Sequence, residues 1–204
     1  SKRNIVEGVD AMYHIHSDKR VNQSVESIGK ALHQLIAATP YRQISVTALA
    51  KEAGVSKATF YRSFDTIDDV LRYETDQAVE QMIAYMMDQR ALRQATGEMG
   101  FFHAFFLFWT AHSQAAEVLM ATGTTNLLTD AFARALYRNM EFFRRHIHID
   151  DKAAPYFIAT RAATLSAVLV CWLEEKPRTH PDEMPAIMAQ LIRPQGHPLC
   201  PTHL

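Results

Sequence analysis

Cysteine is scarce in this sequence of 204 residues, which contains only Cys171 and Cys200. Two cysteines cannot build the disulfide framework of a small secreted domain, and their spacing is not that of a zinc site. The pair therefore suits a reducing compartment. Because Cys171 lies in an apolar segment, we interpret it as a packed side chain rather than a reactive nucleophile.

Long apolar runs without charge are also missing. None reaches the roughly 18 residues that a membrane span requires, and the first twenty residues are polar, unlike a signal peptide. The sequence therefore predicts a cytoplasmic protein that does not enter a membrane.

The sequence also lacks the common signatures of enzymes. It has no nucleophile elbow, no glycine-rich phosphate loop and no zinc-protease helix. Its ten histidines include the pairs His14/His16 and His146/His148, but side chains two residues apart point in different directions on a helix. We therefore expect no metal, no other cofactor and no enzymatic activity.

Positive charge is concentrated in the first third of the chain. Residues 1–65 hold nine Lys and Arg against six Asp and Glu, a balance of +3, whereas residues 66–204 hold twelve against sixteen, a balance of −4. The sum is the net charge of −1, which argues against a basic coat over the whole protein. A surface that binds phosphate is therefore expected in the N-terminal third.

The fold class follows from the spacing of apolar residues. Strand-like alternation, internal repeats and low-complexity tracts are absent, and apolar residues recur every three or four positions. The sequence predicts an all-α protein of about nine helices. A three-helix DNA-binding domain is expected at residues 20–65 and a helical bundle at 66–194, with a flexible arm at 1–19 and a disordered tail at 195–204.

Residues 45–64 carry the pattern of a helix-turn-helix. Ser45 and Ser56 are each placed to cap a short helix, and Gly54 lies where the chain needs a left-handed residue. After the motif, Thr66 and Asp69 form the capping signature of a long helix running toward residue 88. The spacing therefore predicts two short crossing helices followed by a long one.

The second helix of this motif has two chemically different sides. Phe60 and Phe64 are expected to point into the core, and small Ala50 and Ala53 allow the two helices to cross closely. The side chains expected to face outward and to contact DNA are Lys57, Ala58, Thr59, Tyr61, Arg62 and Ser63. Cations and hydroxyls bind phosphates and base edges, and a methyl group such as that of Ala58 can touch the thymine methyl.

This stretch resembles the TetR family of transcription regulators. The family pattern is roughly T-V-x-x-I-A-x-x-A-G-V-S-x-G-T-x-Y-x-H-F, and the similarity covers about fifty residues. The matching positions are Ala50, Ala53, Gly54, Val55, Ser56, Thr59, Tyr61 and Phe64. The resemblance implies a regulator, most often a repressor, that binds double-stranded operator DNA. It also implies that Lys57, Thr59, Tyr61 and Arg62 face DNA and that Thr47 meets a phosphate.

The segment Met99–Trp109 is nearly all apolar, with six aromatic residues among eleven. This composition predicts a helix buried on every side. The resemblance implies a pocket for a small-molecule effector in the C-terminal bundle, and such pockets are mainly apolar with a few polar anchors. The candidate effector-binding residues are Phe102, His103, Phe106, Trp109, His112, Met120 and Tyr137. Plain core packing is the alternative interpretation for each.

Two further segments bear on assembly. Residues 125–147 are predicted to form one amphipathic surface helix, and residues 153–173 an apolar helix rich in small side chains. The resemblance favours pairing of the latter, with the last amphipathic helix, against a second subunit to form a homodimer. Completion of a monomer core is the alternative. A co-regulator of the same fold that contacts protein instead of DNA also remains open.

The sequence departs from the family pattern where the fourth helix begins. The family commonly has a lysine there that binds phosphate, whereas this chain has Ile67, Asp68 and Asp69, and it has Ala58 where glycine is frequent. The acids suit the positive end of the helix dipole but repel phosphate.

We therefore predict weaker sequence-independent DNA binding than the family usually shows. Each phosphate contact displaces condensed counterions, so the slope of log K against log salt concentration counts such contacts. A salt titration of operator affinity should give a slope shallower than about −8. A steeper slope would contradict the small number of contacts.

Overall fold

The computed structural model describes residues 19–87 and 97–192. These residues form ten α-helices and one 3-10 helix, Tyr41–Gln43. The helices are α1 (Lys19–Ala38), α2 (Val46–Glu52), α3 (Lys57–Ser63), α4 (Ile67–Met87), α5 (Gly97–His112), α6 (Gln114–Thr122), α7 (Asn126–Arg138), α8 (Met140–Ile147), α9 (Ala154–Glu174) and α10 (Met184–Ile192). The all-α fold class is confirmed. The predicted tail, and the predicted arm up to residue 18, lie outside the described residues.

The helices differ from the predicted set in two places. Gln114–Thr122 forms a helix that the sequence pattern did not separate from its surroundings. The single helix predicted over residues 125–147 is wrong, because the chain breaks at Asn139 into α7 and α8. The side-chain amide of Asn139 donates to the carbonyl of Ala135 at 2.8 Å, and the backbone amide of Asn139 donates to the same carbonyl at 3.1 Å.

The chain divides into two compact units. One comprises residues up to Glu80 together with Gln114–Val170, and the other comprises Gln81–Ser113 together with the residues from Cys171 onward. The domain boundary expected after residue 65 is a different division and stays a prediction.

The first unit contains the three-helix core of the helix-turn-helix. Helices α1, α2 and α3 all pack against one another. Ile28 and Leu32 of α1, Leu49 of α2, and the aromatic rings of Phe60 and Phe64 are completely excluded from solvent. Phe60 and Phe64, which the sequence pattern places in the core, are therefore buried as predicted.

Helix α1 is joined to α4 and α6 by a polar junction centred on His33. Its Nε2 lies 2.8 Å from the Glu74 carboxylate, and the side-chain nitrogen of Gln114 lies 3.0 Å from its Nδ1. The hydrogen bond that His33 donates to Glu74 raises the pKa of His33 more than burial lowers it. A β-carbon at residue Gly29 would overlap Glu74 Oε1, so glycine allows the carboxylate to reach this place.

Helices α4 and α7 are joined by two ion pairs one helical turn apart. Arg134 contacts the buried carboxylate of Asp76 at 2.6 Å, and Arg138 contacts the exposed carboxylate of Glu80 at 2.7 Å. A carboxylate removed from water needs its cationic partner far more than an exposed one does. The Asp76–Arg134 pair therefore fixes where the first part of α4 lies against α7.

The second unit is built around the aromatic helix α5, which packs against α10. Phe105, Phe106 and Trp109 have no solvent-exposed surface, and the Phe106 and Trp172 rings are 5.3 Å apart. The expectation that this helix is buried on every side is wrong, because Leu107 is 43% exposed, although these aromatic side chains are buried.

Helix α9 is long and apolar enough to cross a membrane, judged by length and composition alone. Within the structure, 39% of its most apolar stretch of 18 residues is buried, including Ile158, Leu165 and Leu169. Core helices of globular proteins have the same composition, and Arg161 interrupts the run. We therefore interpret α9 as a packed helix with one open face.

Candidate nucleic-acid interface

The two short helices of the motif begin and end where the sequence predicts. Ser45 Oγ accepts a hydrogen bond from the amide of Ala48 at 3.2 Å, and Ser56 Oγ accepts one from the amide of Thr59 at 3.0 Å. Gly54 has φ of +67°, a left-handed conformation that costs glycine little. The caps and the glycine together fix the turn that sets α3 across α2.

Helix α3 separates its polar edge from its buried side. Phe60 and Phe64 are fully buried, whereas Lys57, Ala58 and Arg62 are exposed. The Tyr61 side chain is 52% exposed, with its ring edge-on to Phe60 at 5.4 Å. The buried rings of Phe60 and Phe64 therefore support an exposed edge. That edge carries the cations of Lys57 and Arg62, the phenol of Tyr61 and the methyl group of Ala58.

Two residues of the expected DNA-facing set are less exposed than the others. Ser63 is only 2% exposed, so its place in that set is wrong: it follows the Phe60 side of the helix into the core. Thr59 is half-buried, and its hydroxyl lies 2.9 Å from Ser56 Oγ. That hydroxyl is used within the cap, which leaves mainly the methyl group for contact with a base.

The start of α2 adds an exposed hydroxyl and an exposed cation. Thr47, in the first turn of α2, is exposed, as a phosphate contact requires. Arg42, on the 3-10 helix before α2, is exposed as well. Sequence reasoning missed Arg42, because the residue lies in a connection without apolar periodicity, and its only signal there is its charge.

The acids at the start of α4 are engaged by the protein itself. The amide of Thr66 donates to Asp69 at 2.8 Å, and the amide of Asp69 donates to Thr66 Oγ1 at 3.3 Å. Arg72 contacts the same carboxylate of Asp69 at 2.7 Å. Tyr41 donates its hydroxyl to Asp68, and burial, followed by this hydrogen bond, raises the pKa of Tyr41. The predicted capping box is therefore confirmed.

Tyr41, Thr66 and Asp68 border a cleft of about 560 Å³ within the first unit. Its wall is formed by the 3-10 helix and the start of α2, the turn between α3 and α4, and the turn between α6 and α7. The lining residues are Tyr41, Arg42, Ile44, Val46, Asp65, Thr66, Ile67, Asp68, Thr122, Gly123 and Thr124. None of the expected effector-binding residues is among them.

The seven expected effector-binding residues are divided between the two units. Phe102, Phe106 and Trp109 are buried in the second unit. His103 contacts Asp182 at 2.7 Å, and the exposed His112 stacks on Phe108 at 4.4 Å. The remaining two, the half-buried Met120 and the exposed Tyr137, belong to the first unit.

A metal site is usually built from several histidine, cysteine or carboxylate side chains that lie close together. In residues 19–87 and 97–192, no group of three such side chains is placed to hold a metal ion. His14 and His16 lie outside the described residues.

Comparison with known proteins gives a family match over the motif. Residues 28–73 match the model of the family described as bacterial regulatory proteins, tetR family. Comparison of the sequence with curated proteins finds no match. Because the matched family consists of regulatory proteins, the expectation that the chain is not an enzyme is confirmed.

Solved structures resemble the chain over most of its length. The crystal structure of Lin0861 from Listeria innocua has a TM-score of 0.68 at 13% identity, covering 88% of this chain and 94% of that one. The fatty acid degradation regulator FadR from Bacillus halodurans has a TM-score of 0.48 at 16% identity, covering 87% of this chain and 96% of that one. The first likeness shows the fold, and the second is too distant to add to it.

Proposed function

Because residues 28–73 of this chain are a helix-turn-helix domain of the tetR family, we propose that the protein is a cytoplasmic, homodimeric repressor whose operator binding responds to an apolar small molecule. The observation that carries the DNA-binding part is the two-sided helix α3. Its polar edge is exposed while Phe60 and Phe64 are fully buried, so the edge is both available and rigidly supported.

In this proposal α3 enters the major groove of the operator with its first residues leading. Lys57 and Arg62 neutralise phosphates or donate to guanine, and the Tyr61 hydroxyl donates to a phosphate oxygen. The methyl groups of Ala58 and Thr59 are suited to contact with thymine. Thr47, at the start of α2, donates to a phosphate of the flanking backbone.

The open face of α9 supports a homodimer. Ala159, Ala163 and Ala167 are exposed at intervals of four residues, so they form one ridge, and Tyr156 beside them is 75% exposed. Contiguous apolar surface of this kind is usually covered by a partner, and small side chains let a second helix approach closely. A twofold axis between two subunits would also place two α3 helices on a palindromic site, which requires about 34 to 36 Å between them.

The aromatic core of the second unit is the proposed effector region. Phe102, Phe106 and Trp109 supply a large apolar surface on α5, and His103, paired with Asp182, supplies a polar anchor at its edge. Pockets for apolar ligands combine these two features. A ligand would have to open the packing between α5 and α10, and this opening is the conformational change that the proposal requires.

Helix α4 is the proposed transmission element. Its first part follows α3 after three residues and is held by His33 through Glu74 and by Arg134 through Asp76. A displacement of α4 would therefore move the helix-turn-helix with it. The effector must prefer one of the two resulting states by several kcal/mol, because a ligand with equal affinity for both shifts nothing.

A co-regulator of the same fold that binds protein rather than DNA remains the alternative function. It would use the same exposed edge of α3 on a protein surface. The repressor should retain DNA fragments, whereas the co-regulator should not.

Substituting Tyr61→Ala or Arg62→Ala should weaken retention of promoter-length DNA by about 1 to 3 kcal/mol, roughly 5-fold to 150-fold in Kd, because each removes a direct contact. A mobility-shift titration measures this. Arg145→Ala is the matched control, since Arg145 pairs with Glu141 on an exposed surface of α8, and it should bind as the wild type does. Unchanged retention by both Tyr61 and Arg62 variants would show that the assigned edge is not the DNA-binding surface.

Sedimentation equilibrium should give the wild type a mass of twice its 23.1 kDa chain. Substituting Ala163→Arg places a charge on the exposed ridge of α9 and should shift the mass toward that of one chain. Lys152→Glu, an exposed change in the preceding loop, should leave the dimer intact. A wild type that stays monomeric at micromolar concentration would rule out the proposed assembly.

A screen of apolar acids, alcohols and amines by thermal unfolding should find ligands that stabilise the protein, by about 2.7 kcal/mol at a hundred times their Kd. Such a ligand should also change operator affinity at least about fivefold, and Phe106→Ala should weaken its binding. Ligands that bind at Phe106 yet leave operator affinity unchanged would contradict effector control.

A further inference from the structure

We propose that Arg42 is a phosphate-binding residue of the operator complex, and that it supplies the cation that the start of α4 lacks. The inference rests on the proposed operator binding and adds to it a residue outside the helix-turn-helix pattern. Three observations support it. Asp68 at the start of α4 is an exposed carboxylate, Arg42 is exposed without an acidic partner among the described residues, and Arg42 and Asp68 border the same cleft.

The start of α4 is poorly suited to a phosphate in its own right. Thr66 and Asp69 satisfy each other's backbone amides, so those donors are not offered to a ligand. Asp69 is turned inward to Arg72, but Asp68 is exposed. A phosphate approaching this helix end meets an unneutralised carboxylate unless a cation lies nearby.

Arg42 is distinguished from most other arginines by its lack of an acidic partner. Within residues 19–87 and 97–192, carboxylates pair with Arg72, Arg134, Arg138, Arg144 and Arg145. Two further arginines, Arg161 and Arg178, lie over aromatic rings. Arg42 and Arg62 have neither kind of partner in this part of the chain, and both belong to the helix-turn-helix domain. A guanidinium group with no partner inside the protein is available to bind an anionic group outside it.

Arg42 and the start of α4 border the same cleft. Arg42 and Asp68 both line this 560 Å³ cleft, and Asp68 accepts the hydroxyl of the adjacent Tyr41. That hydrogen bond holds the carboxylate toward the 3-10 helix. Arg42 also precedes the Ser45 cap by three residues, while the proposed phosphate contact Thr47 follows the cap by two.

The chemistry of the side chain fits a phosphodiester. The planar guanidinium presents paired N–H donors that match two phosphate oxygens, and it keeps its charge at every physiological pH. Because the contact is to the backbone, it would position the protein without reading sequence. Arg42 therefore differs from Lys57 or Tyr61, which lie on the edge proposed to face the bases.

A salt titration of DNA affinity tests this role. The probe is a promoter-length duplex selected by binding to the wild-type protein, and the slope of log K against log salt concentration is measured for each variant. Arg42→Gln in both subunits removes two contacts, so the slope should become shallower by about 1.8. Arg42→Lys keeps the charge and should keep most of the slope. Lys152→Gln makes the same change of charge outside the helix-turn-helix and should leave the slope unchanged.

The outcomes separate this inference from the proposed function. A merely structural role of Arg42 would weaken binding by the same factor at every salt concentration, and an unchanged slope for Arg42→Gln would overturn the inference while operator binding stands. Equal changes for Arg42→Gln and Lys152→Gln would also overturn it, because they would reflect overall charge. A wild type that retains no duplex at low salt would overturn both the proposed function and the role of Arg42.

Discussion

The complete burial of Phe60 and Phe64 is the constraint on which the interface depends. Two large rings one helical turn apart leave α3 a single way to lie against α1 and α2, and its opposite edge must then face solvent. The serine caps and Gly54 determine where that short helix begins and how it crosses α2. A helix of seven residues has little stability of its own, so the packing of the rings determines both its existence and its orientation.

The helix caps were predictable from the sequence because they are hydrogen bonds between residues that are close together along the chain. Ser45, Ser56 and the Thr66–Asp69 box each bond to a backbone amide three positions away. Ser63 and Asn139 depend on more than local spacing. The burial of Ser63 follows from how far α3 is rotated onto the core, and the break between α7 and α8 at Asn139 is not revealed by a continuous apolar stripe. The effector-binding candidates were harder still, since a pocket depends on tertiary packing, and those residues fall in both units.

The charges of the first unit perform two separate tasks. Most described arginines are occupied with carboxylates, and these pairs hold helices together, as Arg134 and Asp76 do for α7 and α4. The basic side chains left exposed on the helix-turn-helix are what the protein offers to a polyanion. Net charge summed along a sequence cannot distinguish these two uses.

The junction of α1 with α4 and α6 has a mechanical consequence. Gly29 makes room for the Glu74 carboxylate, although glycine weakens the interior of a helix by about 1 kcal/mol relative to alanine. What is gained is a contact made of hydrogen bonds: His33 donates to Glu74 and accepts from the side-chain amide of Gln114. Water can replace these hydrogen bonds one at a time. The separation of two packed apolar surfaces, in contrast, exposes their whole contact area to water together. Helix α1 would therefore follow α4 as long as these few bonds hold, while the aromatic core of the helix-turn-helix keeps its rings out of water in either case.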